Sequence, residues 1–290
     1  MTTRKEALFI LSHGRADRVI TYDTLLKQSY KGDVYVIADN EDKQLKRYEK
    51  RFGDKLIVFD KKEFAKQVDA ADTSGKRNCI IFARNYNFVA ARELGVTHFL
   101  QLDDDYTRFE WCLNHRKEYV CAQNKIKNLQ RLFSACWDFL DETPFKTIAL
   151  AQTGDFIGGA ENKLVRYAST GQIYRKAMNS FFFRTDRPVN FVGRVNEDVN
   201  TYVGGGRVGH LFATIPQARI SQAQTQANSG GMTEMYLDEG TYLKSFYTVI
   251  ISPSSVKVST MGAVNRRLHH QISWNNTCPV IVDPKYQKPR

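Results

Sequence analysis

The chain has 290 residues, 42% hydrophobic and 25% charged, which are ordinary values for a globular protein with a well-buried core. That balance excludes a disordered, fibrous or disulfide-built chain. A net charge of +11 favours polyanionic partners, nucleic acid above all, although a basic surface without such a partner has the same composition.

The five cysteines (Cys79, Cys112, Cys121, Cys136, Cys278) show no CxxC spacing, so neither a zinc site nor a disulfide framework follows and a reducing cytoplasm is the simplest setting. Ala7 to Leu11 is far too short for a signal core or a membrane span, so no membrane partner is expected. From Tyr242 onward the only acid is Asp283, against Lys244, Lys257, Arg266, Arg267, Lys285, Lys288 and Arg290.

Glu6 to Leu11 reads as a buried strand followed by Ser12-His13-Gly14-Arg15, a small polar loop suited to close approach of a ligand. Asp17 to about Lys31 has helical spacing, Val34 to Asp39 is a second strand, Glu41 to Phe52 a charged helix, and Leu56 to Asp60 a third strand. Lys76 to Leu94 is the next helix. Arg77 and Arg84 lie two turns apart on it, so one face could meet phosphate oxygens, or Arg84 could brace nearby acids. Strand–helix alternation over the first hundred residues predicts a parallel sheet covered by helices, with ligands at the carboxyl ends of its strands. The loop at Ser12 to Arg15, Asp39, Asp60 and Asp103 to Asp105 all fall at such ends. There is no GxGxxG after the first strand and no GxxxxGKS, so neither a dinucleotide fold nor a P-loop is supported.

Thr97 to Leu102 is a strand that runs into Asp103-Asp104-Asp105. Adjacent carboxylates repel unless a cation sits among them. Alternation on an extended backbone turns Asp103 and Asp105 one way and Asp104 the other, giving two hard oxygen ligands for Mg²⁺ or Mn²⁺. An acidic surface loop is the alternative.

Arg108 to Gln123 reads as a protruding hairpin, Asn128 to Leu140 as an amphipathic packing helix, and Thr147 to Gln152 as a strand. Gly158-Gly159 reads as a turn, with a site of close substrate approach as the alternative. Strand-like runs at Gly171 to Tyr174 and Asn179 to Arg184 suggest a mixed sheet in the second half. Asn196-Glu197-Asp198 then opens a helix through Tyr202, closed by Gly204-Gly205-Gly206. Acids in a first helical turn favour the dipole, but near a metal-binding cluster a second carboxylate pair also suits base catalysis. His210 to Ile215 is a strand, Gln222 to Gly231 a mobile polar loop beside a site, and Met232 to about Tyr247 a helix. The tail beyond it resists assignment. One composite domain is expected: residues 1–236, divided into a nucleotide-sugar half (1–107) and an acceptor and catalytic half (108–236), with 237–290 packed on it.

With Ala83-Arg84-Asn85, Leu102-Asp103-Asp104-Asp105 and Asn196-Glu197-Asp198 in order, the chain resembles glycosyltransferases of the GT-A fold over about residues 5 to 230. It looks most like the phage-type TET-associated glycosyltransferases, which are proposed to place sugars on hydroxymethylated pyrimidines in DNA. The resemblance implies an α/β fold, a GT-A-like (Rossmann-like) mixed sheet flanked by helices. It implies Mn²⁺ or Mg²⁺ on Asp103 and Asp105, bridging the diphosphate of a nucleotide-sugar donor, a UDP-sugar in particular. Asp104 would lie near the donor ribose or sugar. Ser12, His13, Gly14 and Arg15 would meet the base and ribose, and Arg84 would brace the acids or the diphosphate. Asp198 would be the base, with Glu197 its neighbour. Many relatives carry a metal-binding histidine past the second acid motif, where this chain has Gln222, Gln224 and Gln226; His210, His269 or water could serve instead. Read from the residues themselves, basic side chains near aromatics make Arg116, Lys117, Arg266 and Arg267 the candidates for DNA backbone contact, with Trp111 or Trp274 as wedges. A phage enzyme of this kind would work in the host cytoplasm.

Three rivals share some of these features: a glycosyltransferase acting on protein or polysaccharide, a nucleotidyltransferase, and a non-catalytic DNA-binding module.

Overall fold

The structure, a computed structural model, describes residues 4–223, 242–261 and 266–277. The first half alternates as expected. Strands β1 (Glu6–Leu11), β2 (Asp33–Asp39), β3 (Leu56–Phe59) and β4 (His98–Asp103) are separated by helices α1 (Ile20–Lys27), α2 (Leu45–Phe52), α3 (Lys61–Phe64) and α4 (Ile81–Glu93). The hairpin β5 (Tyr106–Leu113) and β6 (Tyr119–Lys125) follows, then α5 (Leu129–Glu142), β7 (Phe145–Gln152), α6 (Lys163–Thr170), β8 (Phe181–Arg184), α7 (Glu197–Arg207) and β9 (Leu211–Gln222). The described residues end with α8 (Leu243–Ile251) and an antiparallel pair, β10 (Val256–Met261) and β11 (Arg267–Ile272).

One nine-stranded sheet runs β3-β2-β1-β4-β8-β7-β9-β5-β6. Its first four strands are parallel, and β8 pairs antiparallel with both β4 and β7, so the sheet is mixed as expected. β1 shows why this strand is apolar throughout. Leu8 and Ile10 face one core with Leu25, Tyr48, Phe133 and Trp137, while Ala7, Phe9 and Leu11 face a second with Phe82, Phe88 and Val203. A sheet covered on both faces leaves no room for polar alternation. β9 carries Pro216, which cannot donate to a ladder, and its register with β7 slips between Leu150 and Ala151 there.

Several expectations are corrected. Helix α4 starts at Ile81, not Lys76, because the preceding loop is tied elsewhere: Gly193 and Arg194 donate their backbone N–H groups to Asp69 and Ala70. Arg77 therefore shares no helical face with Arg84. The hairpin does not protrude; β5 is hydrogen-bonded between β9 and β6 within the sheet. Gly171 to Tyr174 supplies only an isolated bridge from Tyr174 to Thr214. The three glycines do not end α7, which runs through them to Arg207. A Cβ on Gly206 would lie 2.2 Å from the Thr277 carbonyl oxygen, so the glycine permits close approach of the chain's later segment. Most of the helix expected over 232–247 and of the loop expected over 222–231, including Gln224 and Gln226, lies outside the described residues, and Gln222 ends β9 instead. Among the described residues no helix is long and apolar enough to cross a membrane.

Candidate active site

The carboxyl ends of β1, β2 and β4 converge. After β1, Ser12 donates to Asp104 Oδ2 at 2.6 Å and shares a 2.7 Å hydrogen bond with the Tyr48 hydroxyl, while Arg15 Nη1 lies 3.0 Å from Asp104 Oδ1. Gly14 donates its backbone N–H to Asp42 at 2.7 Å, and His13 Nδ1 sits 2.8 Å from Asp39 Oδ2. The Asp39 hydrogen bond raises the His13 pKa. Burial works against the Asp39 charge, but His13 and Lys61 outweigh it and hold the carboxyl below its usual range. These residues form one polar cradle.

The strand stops at the first of the three aspartates, and the other two lie in the turn after it. Asp103 ends β4, Asp104 turns to Ser12 and Arg15, and Asp105 accepts from Gln222 Nε2 at 3.1 Å on both oxygens. Burial raises the pKa of all three, Asp103 to about 6, with Arg84 opposing the rise and Asp105 adding to it.

The second acidic motif reaches the same place. Asn196, in the left-handed region at φ 54°, precedes α7 and aims its side chain at the Lys244 carbonyl, 2.6 Å away. Gly193, with φ +84°, allows Asn200 to fold back onto the Val192 and Val195 carbonyls, each 3.0 Å away; a Cβ there would meet Asn200 Nδ2 at 2.7 Å. This turn delivers Glu197 and Asp198, both buried. Arg84, only 2% exposed, donates from Nε to Glu197 Oε1 at 2.9 Å and brings Nη2 to 3.2 Å from Asp103 Oδ1, its guanidinium 5.1 Å from the Phe181 ring centroid. One cation thus joins two acidic segments 94 residues apart (Asp103 and Glu197). Burial, with Asp198 adding to it, raises the Glu197 pKa despite Arg84. Asp198 lies within electrostatic reach of Asp103, Arg84 and Lys176.

The donor chemistry fits a divalent cation. Asp103 Oδ1 is buried without a hydrogen bond, the Arg84 contact being outside hydrogen-bond geometry. Asp103, Glu197 and Asp198 lie around the one Arg84 guanidinium. Among the described residues no third His, Cys, Asp or Glu completes a ligand set with this pair. That suits Mg²⁺, which takes one or two carboxylates and fills its shell with phosphate and water oxygens. His210 does not serve. It precedes the start of β9, whose far end carries Gln222 beside Asp105, and the strand between, leaving out the three residues bulged between Ile215 and Arg219, spans roughly 30 Å at about 3.3 Å per residue. His269 lies among cations rather than carboxylates.

Other candidates fall elsewhere. Arg77 pairs with Glu41 at 2.6 Å on the surface. Arg116 and Lys117 are exposed at the β5–β6 turn, and Arg266 and Arg267 at the start of β11. Trp111 is half-buried against the core. Trp274 stacks on Tyr202 at 5.8 Å and has the Arg175 guanidinium over its ring, so neither ring stands free as a wedge. Two residues had no sequence signal. Lys176 Nζ lies 2.8 Å from Asp155 Oδ1, and their 21-residue separation matches no local pattern.

A family model for the TET-Associated Glycosyltransferase matches residues 6–231. No curated protein matches the chain. Among solved structures, glucosyl-3-phosphoglycerate synthase from Mycobacterium tuberculosis with Mg²⁺ and UDP is similar at 8% identity and a TM-score of 0.48, over 93% of this chain and 88% of that one. The same enzyme with Mn²⁺ and UDP-glucose gives 9%, 0.47, 93% and 87%. Likeness at this level bears on neither substrate nor residue roles.

Proposed function

The chain belongs to the TET-associated glycosyltransferase family, and from that premise we propose that it moves a sugar from a UDP-sugar to the hydroxymethyl group of a pyrimidine, such as hydroxymethylcytosine, in DNA. The observation that carries the reading is Arg84 holding Asp103 and Glu197 together, with Asp198 beside them at the carboxyl end of a parallel sheet.

Asp103 and Asp105 would hold Mn²⁺ or Mg²⁺, which supplies Lewis-acid neutralisation of the leaving diphosphate. The loop from Ser12 to Arg15, with Asp39 and Asp104, binds the nucleoside and sugar of the donor. Hydrogen bonds among these residues hold the side chains in set positions, which lowers the ordering cost of binding. Arg84 fixes the spacing between the two acidic segments. Asp198 takes the proton from the acceptor hydroxyl as its oxygen attacks the anomeric carbon, a contribution of about 10²–10⁴-fold. A base within duplex DNA must leave the stack to present that hydroxyl, at a cost of a few kcal/mol, and the net charge of +11 supplies the attraction to the backbone. Arg116, Lys117 and Arg266 are exposed cations suited to phosphate contact.

Mass spectrometry of nucleosides from hydroxymethylated and plain DNA, incubated with a panel of nucleotide sugars, tests this. Hexose added only to hydroxymethylated pyrimidines is expected. Sugar on protein or polysaccharide but never on DNA, or released pyrophosphate, would refute it.

A further inference from the structure

We infer that the open pocket between the start of α8 and the β10–β11 pair seats an unpaired base of the acceptor strand, with Tyr242 as the stacking ring and Arg266 on the adjoining phosphate. The inference rests on the DNA-acceptor reading above and adds the state of the DNA, a strand locally opened. The pocket measures about 270 Å³ and is lined by Tyr242, Thr260, Arg266, Arg267 and Leu268, all five exposed. Pairing of β10 with β11 builds one side of it, with Thr260 opposite Leu268. Ser245 of α8 donates its hydroxyl to the Leu268 carbonyl at 2.8 Å, which fixes the helix against the pair. Asn196, one residue ahead of Glu197, donates to the Lys244 carbonyl at 2.6 Å and to the Thr248 hydroxyl at 3.1 Å. The pocket is therefore anchored to the elements that carry Asp198.

Size and chemistry select the occupant. Pockets that enclose a drug-sized ligand run to about 300–1,000 Å³, so this one is small for a whole nucleotide sugar and has room for one flat ring. Its lining joins an aromatic ring and an aliphatic side chain to two arginines. Residues 242–277 contain no Asp or Glu, so no acid of these elements neutralises the arginines, and the matching partner is an anion. On α8, Phe246 and Ile250 follow Tyr242 at four-residue steps and form one stripe with it, 42%, 74% and 59% exposed respectively. An apolar stripe left in water marks a binding surface. A second copy of the chain docked by this face would set the same cations against one another, whereas DNA brings the opposite charge. Rings beside cations suit an unpaired strand, because every base has a face to stack and its phosphates follow along the chain. Duplex DNA offers the arginines its phosphates but keeps its base faces inside the stack, out of reach of Tyr242. Taking the target pyrimidine out of the stack uncovers the faces of its neighbours, and one of these is the occupant.

Tyr242 and Arg266 are exposed, so their replacement spares the core. The test measures binding of hydroxymethylated single-stranded and duplex oligonucleotides by fluorescence anisotropy over a salt series, for wild type, Y242A, Y242F and R266Q. Y242A should weaken single-strand binding at least about fivefold without changing the salt slope, and should leave duplex binding as in wild type. Y242F should bind single strands like wild type, because stacking needs the ring and not the hydroxyl. R266Q should lower the single-strand slope by about 0.7. In transfer assays Y242A should raise KM for the DNA and leave kcat and UDP affinity unchanged. Y242A that binds single strands as wild type does would mean that no base stacks there. Equal loss on duplex and single strand would mean that the ring reads no unpaired base, and a wild-type dimer split by Y242A in sedimentation would give the face to a second copy; each overturns the inference alone. Wild type that binds no DNA, or transfers no sugar to it, would overturn the acceptor reading and the base pocket with it.

Discussion

Replacing Arg84 with Met removes the buried cation between Glu197 and Asp103 while keeping most of the side chain's bulk. In the folded protein both carboxyls already have pKa values above their unfolded values, Asp103 at about 6. The folded state therefore binds more protons than the unfolded chain, and stability falls as pH rises through that window. Without Arg84 both values rise further, and near neutral pH the carboxyls take up protons rather than stay charged. At pH 7.5 protonating a group of pKa about 6 costs about 2 kcal/mol at 1.36 kcal/mol per unit. Glu197 adds to this in the same direction, towards the roughly 3–5 kcal/mol typical of a broken buried pair. At pH 5 Asp103 is already largely protonated in wild type, so the electrostatic part of the loss nearly vanishes there. Thermal melts in the presence of chelator should show R84M below wild type by roughly 6–20 °C at pH 7.5, at about 2–4 °C per kcal/mol, and by far less at pH 5. An equal loss at both pH values would refute the electrostatic account and leave only packing.

D198N should bind UDP-sugar with unchanged affinity yet lose transfer by about 10²–10⁴-fold in single-turnover assays; substantial retained turnover would remove Asp198 from the role of base. G206A should cost about 1–3 kcal/mol in urea unfolding, because the added methyl meets the Thr277 carbonyl; no cost would mean that the two segments separate freely. Metal-free wild type should melt higher at pH 5 than at pH 7.5, and Mn²⁺ should restore the difference at pH 7.5, whereas D103N should show little of either effect; Mn²⁺ that stabilises D103N equally would point to another site.

Much of the first hundred residues was legible because its signals are local. Ala7 to Leu11 is an apolar run with no alternation, which only a sheet buried on both faces needs, and Asp103 to Asp105 stands where such a strand ends. The features that escaped the sequence depend on distant partners. Gly204 to Gly206 read as a helix end by local preference, but contacts with Phe212 and Thr277 favour small residues inside α7. Arg77 had helical company, yet the loop tied to Gly193 and Arg194 delays the helix and hands the side chain to Glu41. Lys176 and Asp155 meet only because β7 and the segment before β8 end side by side. His210 looked available by its position in the chain, and the length of β9 carries it away from the acids. Nothing near Trp274 in the sequence marks the Tyr202 ring and the Arg175 guanidinium that pack against it.

The central claim is that Asp103 and Asp105 hold the cation that receives the donor's diphosphate. Calorimetric titration of UDP into wild type and D103N, each with Mn²⁺ and with chelator, tests it most directly. The account predicts binding by wild type with Mn²⁺ and little in the other three combinations. Equal binding of UDP by wild type and D103N, or by wild type with and without Mn²⁺, would contradict it.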